Sequence, residues 1–502
     1  MIELGLVAWK TSQVSNTDDS AGGAVSESPD TGGPGHLTVA SLSDAGRAGL
    51  MAALCVGVVA AAFEMYSINA IMLKVAQEFD DMSHYAWGFT MFIIGQVFSI
   101  IVSGRLIDRF GAFKPLAAGV AVFALGLALA GGSTQMTTFL AARVVLGLGA
   151  GAMNIAVMVV IAEVYPAQRR SMMMTIFSFC YLGPAFIGSP LAAWVAATIG
   201  WRWAFWMIIP LLVIAAAVGV APIRRLYRQR ETRGGTPDDA PLWAAIAGTG
   251  GMALLQAAGQ AIQQLHHVSD LNWQTVVLGV GGMIAVGAAL HKLMPGRFWT
   301  FGEGMASLMW ARLTLAGAFF ASYSFLVPML TEARGVGYQR AAWAVAVGAI
   351  GWAGGTVLQS QPNLKLRRDQ LVTIGASCLA ISIFSMAATA AWHVVPIAVG
   401  LGALLVAGFG MGLGSASTSL VVMTLSPPDA IGRNTSSLQV ADNLGSAFFA
   451  SVAGIIMPAL LPKVLAPATF GWMYTVNGVV AVLSIGLSLR LGRVRNESSG
   501  YV

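Results

Sequence analysis

Long apolar segments recur along the chain from about residue 49 to about residue 490, and short polar breaks separate them. A hydrocarbon core about 30 Å thick needs roughly 20 apolar residues per crossing helix, which these segments supply. The pattern therefore predicts an all-α membrane protein of about fourteen transmembrane helices. The predicted spans are 49–73, 85–104, 114–132, 137–161, 172–196, 203–222, 241–264, 274–293, 304–331, 339–359, 370–391, 395–423, 436–461 and 468–490.

The polar breaks divide the chain into five predicted regions. Residues 1–46 are rich in Ser, Gly, Asp and Thr without helical periodicity, which predicts a disordered cytoplasmic tail. A six-helix bundle is predicted over 47–223, and 224–300 combine a basic cytoplasmic linker with two inserted transmembrane helices. A second six-helix bundle follows over 301–495, before a cytoplasmic tail at 496–502. Transporters built from repeated halves hold substrate near the midplane between them.

Charge gives the orientation of these spans. The chain is 56% hydrophobic and only 10% charged, whereas soluble proteins are about 25% charged. Its net charge of +6 lies in clusters between apolar spans, which indicates membrane topology rather than a nucleic-acid-binding face. Alternate loops carry most Lys and Arg residues, so both termini are predicted to lie in the cytoplasm. The predicted location of the protein is the inner (plasma) membrane of the cell.

Several kinds of chemistry lack a motif in this sequence. It contains no Walker loop, zinc-ligand spacing, catalytic Ser-His-Asp pattern or dinucleotide-binding fingerprint. We therefore expect no enzymatic activity, no cofactor and no metal. The expected partners are a small-molecule substrate, protons and the lipid bilayer, while the sequence leaves the oligomeric state open.

Three motifs are similar to those of a known family. Gly104-Arg-Leu-Ile-Asp108-Arg109-Phe-Gly111 resembles the loop signature of the major facilitator superfamily, and Arg143 begins a glycine-rich motif of its fourth span. Gly183-Pro184 with Gly188 is similar to the motif of the family's antiporters. With two extra helices, the resemblance implies the fourteen-span drug:proton antiporter branch, and hence a major facilitator fold of two six-helix bundles plus an inserted pair.

Glu64 and Arg143 are the first candidates for function. An ionisable side chain at membrane depth costs at least about 2.5 kcal/mol and marks a functional site by default. The helical rise places Glu64 about 13 Å and Arg143 about 9 Å below the outer surface. Because the first and fourth helices line the cavity in the family, the resemblance implies that they meet. Glu64 is then either the proton-coupling carboxylate or half of a static ion pair with Arg143.

Arg312 and Asp442 form a second candidate pair. The same depth estimate places them about 12 Å and about 9 Å inside the cytoplasmic face, and the resemblance makes their helices neighbours. Substrate contact and structural pairing are both open for these two residues.

The remaining candidates concern conformation. Asp108, with Arg109, Gly104 and Gly111, forms a positive-inside anchor or, by the resemblance, a conformational latch facing the helix that starts near Ser436, and the two roles are compatible. Gly183, Pro184 and Gly188 form either an ordinary helix kink or an antiporter motif that tunes the seal between the halves.

The sequence thus predicts proton-coupled export of small organic compounds or drugs by alternating access. Two alternatives are a dedicated exporter or importer of one metabolite, such as a siderophore or antibiotic, and a non-transporting receptor with the same fold.

Overall fold

The computed structural model describes residues 44–81, 84, 87–228, 242–263, 272–460 and 467–496. Almost all of the predicted N-terminal tail lies outside the described residues, as do positions 229–241 of the basic linker and 497–502 of the C-terminal tail. All described residues belong to one compact unit, Leu37–Val502.

Fourteen helices of 19 residues or more follow one another in the described residues, at the positions of the fourteen apolar segments. They are α1 (Asp44–Glu78), α2 (Trp87–Phe110), α3 (Phe113–Gly131), α4 (Met136–Val164), α5 (Ala167–Thr198), α6 (Ile208–Arg228), α7 (Leu242–Gln263), α8 (Trp273–Leu293), α9 (Met305–Ser324), α10 (Tyr338–Gln359), α11 (Arg368–Ala391), α12 (Ile397–Leu425), α13 (Ile431–Leu460) and α14 (Pro467–Ser488).

Eleven of these helices, as far as the described residues go, are long and apolar enough to cross a membrane by length and composition. The other three are α6, α10 and α13. The apolar stretch at α6 is Trp203–Gly219, which is shorter and combines the separate turn Trp203–Trp206 with the first part of α6. The number of membrane spans therefore stays a prediction.

The ninth predicted span, 304–331, is not one continuous helix. α9 ends at Ser324, and a short turn, Leu326–Pro328, leads into the π-helical turn Met329–Ala333. Pro328 lacks a backbone N–H, so the regular helical ladder cannot continue unchanged through it.

Helix pairing repeats between the two halves. In the first half, α4 packs on α2 and α3, and α1 packs on α5 and α6. In the second half, α12 packs on α10 and α11, and α9 packs on α13 and α14. The two bundles therefore have the same internal arrangement, with α1–α6 corresponding to α9–α14.

Small residues bring α2 and α4 into direct contact. A Cβ atom added at Gly147 would lie 2.8 Å from the backbone nitrogen of Gln96, and one at Gly151 would lie 2.9 Å from the Cβ of Ser99. Because contacts this short do not occur for real Cβ atoms, glycine at these positions allows the two backbones to touch.

The inserted pair, α7 and α8, packs against itself and against the junction of the halves. α7 contacts both α2 and α13, and the hydroxyl of Ser437 in α13 donates a hydrogen bond to the carbonyl of Leu293 at the end of α8 (2.7 Å). The pair thus lies beside the place where the halves meet.

The most extensive contacts between the halves are those of α2 with α13 and of α5 with α10. The first joins the end of α2 to the beginning of α13, and the second joins the beginning of α5 to the end of α10. Short connections between consecutive helices place both at the same end of the molecule, which we call the sealed end.

Candidate functional site

Glu64 of α1 and Arg143 of α4 form an ion pair inside the first half. Nη1 of Arg143 donates a hydrogen bond to Oε1 of Glu64, and each side chain is only 1% exposed. The depth estimate from the sequence had placed them at similar levels, and the packing of helices α1 and α4 brings them into contact.

Arg143 has two further partners in addition to the carboxylate. Its Nε donates a hydrogen bond to the carbonyl oxygen of Gly88 (2.7 Å), and its guanidinium carbon lies 4.8 Å from the centre of the Phe92 ring. A buried guanidinium is stabilised by such acceptors and by the face of an aromatic ring. Arg143 is therefore held in place from α2 as well as from α1.

The second oxygen of Glu64 differs from the first. Oε2 is buried and, among the described residues, has no hydrogen-bond donor. A buried carboxylate oxygen without a donor is costly while it carries charge, and protonation reduces that electrostatic cost. The carboxyl group thus has one oxygen bonded to Arg143 and another without a donor among the described residues.

Arg312 of α9 and Asp442 of α13 are also in contact. Nε of Arg312 donates to Oδ1 of Asp442 (2.7 Å), and Nη1 donates to Oγ1 of Thr418 in α12 (3.0 Å). The side chain of Arg312 is 8% exposed and that of Asp442 is 20% exposed. This cluster joins three helices of the second half, and sequence reasoning missed Thr418.

Asp108 lies at the sealed end, at the junction of α2 and α13. Its two carboxylate oxygens accept hydrogen bonds from the backbone nitrogens of Gly432 and Arg433, each at 2.7 Å. These amides belong to the first turn of α13, which has no intrahelical acceptor and carries the positive end of the helix dipole. The helix begins at Ile431, five residues before the predicted start near Ser436.

Two glycines allow this contact to form. A Cβ atom at Gly104 would lie 2.6 Å from the Cβ of Ser436 and 2.7 Å from the carbonyl oxygen of Gly432. Gly111 has φ +77° and ends α2 in the left-handed region, where glycine carries no steric penalty. Arg109 is exposed, with its guanidinium 5.0 Å from the centre of the Phe110 ring.

The Gly183-Pro184 segment lies within α5, which stays helical from Ala167 to Thr198. Gly183 has open space where a side chain would be, and Pro184 is buried. A Cβ atom at Gly188 would approach the Cβ of Tyr66 to 3.3 Å, so this glycine packs α5 against α1 at a position two residues after Glu64.

A polar chain that sequence reasoning missed links the halves between these sites. Nδ2 of Asn154 (α4) donates to the hydroxyl of Tyr181 (α5) at 2.8 Å, and Nε2 of Gln439 (α13) donates to Oδ1 of Asn154 at 3.2 Å. The signal in the sequence was an asparagine within the otherwise apolar Gly-Ala-Met-Asn-Ile run.

Known proteins resemble this chain over different lengths. A family model described as Major Facilitator Superfamily matches residues 54–450. An uncharacterized MFS-type transporter of Mycobacterium tuberculosis is 28% identical over 187 residues, which are 37% of this chain but only 27% of that relative. The multidrug transporter protein MdtP of Bacillus subtilis is 23% identical over a region that covers 42% of this chain and 38% of the length of MdtP. The efflux pump roqT of Penicillium rubens is 20% identical, over 85% of this chain and 80% of its own.

Solved structures share the fold. A bacterial homologue of the iron transporter ferroportin, in an outward-facing state, superposes with a TM-score of 0.62 at 12% identity, covering 88% of this chain and 99% of its own. The proton:xylose symporter XylE superposes with a TM-score of 0.60 at 18% identity, covering 89% and 96% respectively.

Proposed function

Because the matched family model spans residues 54–450, the chain belongs to the major facilitator superfamily, and we propose that it exports small organic compounds in exchange for protons. The family consists of membrane transporters rather than enzymes, so the protein is a multi-pass membrane transporter. Fourteen spans, cytoplasmic termini and a plasma-membrane location belong to the proposal.

The observation that carries proton coupling is the buried Glu64 carboxyl group, with one oxygen bonded to Arg143 and the other without a donor among the described residues. Protonation at Oε2 neutralises the group while Arg143 keeps the Gly88 carbonyl and the Phe92 ring as partners. The buried guanidinium therefore keeps partners when the carboxyl group is neutral, which limits the free-energy cost of breaking the ion pair.

The two protonation states have different consequences for α1 and α4. The charged carboxylate attracts Arg143 and ties the two helices together, whereas the neutral carboxyl group holds them less strongly. A change in protonation at Glu64 therefore alters the free energy of any rearrangement that separates these helices. A proton entering from outside and leaving towards the cytoplasm supplies the energy for export.

The sealed end supports alternating access. With cytoplasmic termini, the end of α2 faces the cytoplasm, so this arrangement of the two halves is closed on the cytoplasmic side. Asp108 stabilises that closure because its carboxylate binds the first turn of α13 across the junction of the halves. Transport then requires this contact to break and re-form in each cycle.

Arg312 and Asp442 are assigned to holding α9 against α13. The direct contact between the two side chains and the hydrogen bond from Arg312 to Thr418 support a structural role in the second half. The Gly183-Pro184 segment is proposed to tune the packing of α5 beside Glu64, since Gly188 in the same helix contacts Tyr66.

Two relatives support export as the direction and organic compounds as the cargo. MdtP is named a multidrug transporter and roqT an efflux pump. Everted membrane vesicles test the proposal: a pH gradient, acid inside, is established and a panel of organic cations and neutral compounds is added. Substrates should dissipate the gradient only in vesicles that contain the protein. A panel that moves no protons and is not transported would contradict it.

A further inference from the structure

Gln359, at the end of α10, lies buried in the seal between the halves. Its Nε2 donates hydrogen bonds to the carbonyl oxygen of Ser171 and to Oγ1 of Thr175, both at 3.2 Å, and the side chain is 0% exposed. The same Thr175 hydroxyl donates to the carbonyl oxygen of Thr356 (2.9 Å). Because a buried amide must keep its hydrogen bonds, separating α5 from α10 here has a cost.

Arg368, the first residue of α11, binds the other side of the same amide. Its Nη1 donates to the Oε1 of Gln359 (2.8 Å) and to the backbone carbonyl of Gln359 (3.2 Å), and Arg368 is 4% exposed. A guanidinium can only donate, so it binds the amide oxygen and leaves the NH₂ group directed at α5. Arg368 thereby fixes the orientation in which Gln359 joins the halves.

The segment after α14 holds Arg368 in turn. We call residues 491–496 the strap. The backbone nitrogen of Arg368 donates to the carbonyl of Val494 (2.9 Å), and the nitrogen of Val494 donates to Oδ1 of Asp369 (3.0 Å). Nδ2 of Asn496 donates to the carbonyl of Leu364 (3.2 Å). Leu491 and Val494 are buried in the hydrophobic cluster that contains the core of the first half.

We propose that the strap is a positioning element for the seal: it fixes Arg368, Arg368 orients Gln359, and Gln359 stabilises closure of α10 on α5. The balance between the sealed and open arrangements is then set partly from the C-terminal segment of the chain. This inference rests on the proposed transport function, because only a protein that alternates between arrangements uses this balance.

The test measures the distance across the sealed end in the full-length protein. Spin labels are attached through Arg169→Cys, in the first turn of α5, and Asn363→Cys, between α10 and α11, because both parent residues are exposed. The native cysteines, Cys55, Cys180 and Cys378, are replaced by serine. Pulsed electron paramagnetic resonance then gives the short-distance and long-distance populations, without substrate and without a pH gradient.

Val494→Pro removes the N–H that donates to Asp369, while Val494→Ala keeps both backbone hydrogen bonds and serves as the matched control. Loss of a buried hydrogen bond changes a two-state ratio by about five-fold, so Val494→Pro should raise the long-to-short ratio by roughly that factor. Gln359→Leu should act in the same direction. Combined with Val494→Pro it should add little, because both changes remove one coupled chain of contacts.

Three results would overturn the inference: an unchanged distance distribution in folded Val494→Pro, an equal shift in Val494→Ala, or fully additive shifts in the double variant. If Val494→Pro does not fold, Asp369→Ala removes the same acceptor, and an unchanged ratio there would also overturn it. Failure of proton coupling at Glu64 would leave these distances unaffected, so the two proposals fail separately.

Discussion

Arg143 reaches across from α4 to donate a hydrogen bond to Glu64 of α1, in a part of the first half where both side chains are almost completely buried. The carbonyl of Gly88 and the ring of Phe92 hold the same guanidinium from α2. One arginine therefore joins three helices, while the carboxyl group that it binds retains an oxygen without a donor among the described residues. The two oxygens of this carboxyl group therefore have different surroundings.

Charge reversal distinguishes the roles of Arg312 and Asp442. Arg312→Asp alone and Asp442→Arg alone place two like charges in contact at a largely buried site, and each should abolish transport and lower stability, since breaking a buried pair costs about 3–5 kcal/mol. The double variant should recover most of the transport activity and most of the stability, because the restored pair holds α9 to α13. Transport in vesicles and thermal unfolding measure this. A folded double variant that stays inactive would instead indicate substrate contact.

The charge of Asp108 should favour the sealed arrangement. Asp108→Asn keeps the size of the side chain but replaces one of its two acceptor oxygens by an NH₂ group and removes the charge that faces the first turn of α13, the charge alone being worth about 0.3–1 kcal/mol. The fraction of molecules open at the sealed end should rise by roughly two- to five-fold. Two measurements check this: the distances between spin labels placed in the two halves, and the rate of transport. Unaltered rates together with unaltered populations would remove the latch from the account.

The close approach of α2 to α13 should not tolerate a methyl group. Gly104→Ala places a Cβ atom 2.6 Å from Oγ of Ser436, and relieving that overlap by helix displacement costs about 1–3 kcal/mol. We expect lower thermal stability and a more open sealed end. Gly287→Ala in α8 is the control, because no atom lies within 4 Å of its added Cβ. Equal effects of the two substitutions would contradict this contact.

Glu78 should give the protein a pH-dependent contribution to stability. Burial tends to raise the pKa of Glu78, but hydrogen bonds from Arg202 and Trp201, each at 2.6 Å, and the charge of Arg202 together lower it. A lowered native pKa stabilises the fold above the unfolded value, about 4.3, and the contribution disappears as pH falls through the native pKa.

Because this pair is half-exposed, Glu78→Gln should cost only about 0.2–1 kcal/mol at pH 7. Thermal unfolding of the parent and the variant in detergent, followed from pH 7 to pH 3, should show the difference shrinking towards low pH. A difference that grows as pH falls would have the wrong sign for a lowered pKa.

The lengths of the apolar segments predicted the positions of the helices, because a bilayer of fixed thickness imposes a minimum length on each crossing segment. The fixed rise of 1.5 Å per residue likewise set Glu64 and Arg143 at similar depths. Their contact could not be derived that way, since it depends on which helices are neighbours. Helix ends were missed for a related reason: the first turn of α13, Ile431 to Asn434, is polar, and hydropathy detects the membrane rather than the beginning of a helix.

The tie between Gln359 and Ser171 lay beyond sequence reasoning altogether. The two residues are 188 positions apart, and a glutamine at the end of an apolar span is otherwise unremarkable on composition alone. Contacts between the halves follow from the three-dimensional arrangement of two bundles, to which local periodicity contributes nothing.

The central claim is that protonation of Glu64 couples the proton gradient to export. Purified protein in proteoliposomes, with a substrate identified in vesicles, allows two modes to be compared: accumulation driven by a pH gradient, and exchange of substrate at equal pH. Glu64→Gln mimics the protonated state, so it should abolish gradient-driven accumulation and leave exchange measurable, whereas Glu78→Gln should retain both. Full gradient-driven accumulation by Glu64→Gln would contradict the account.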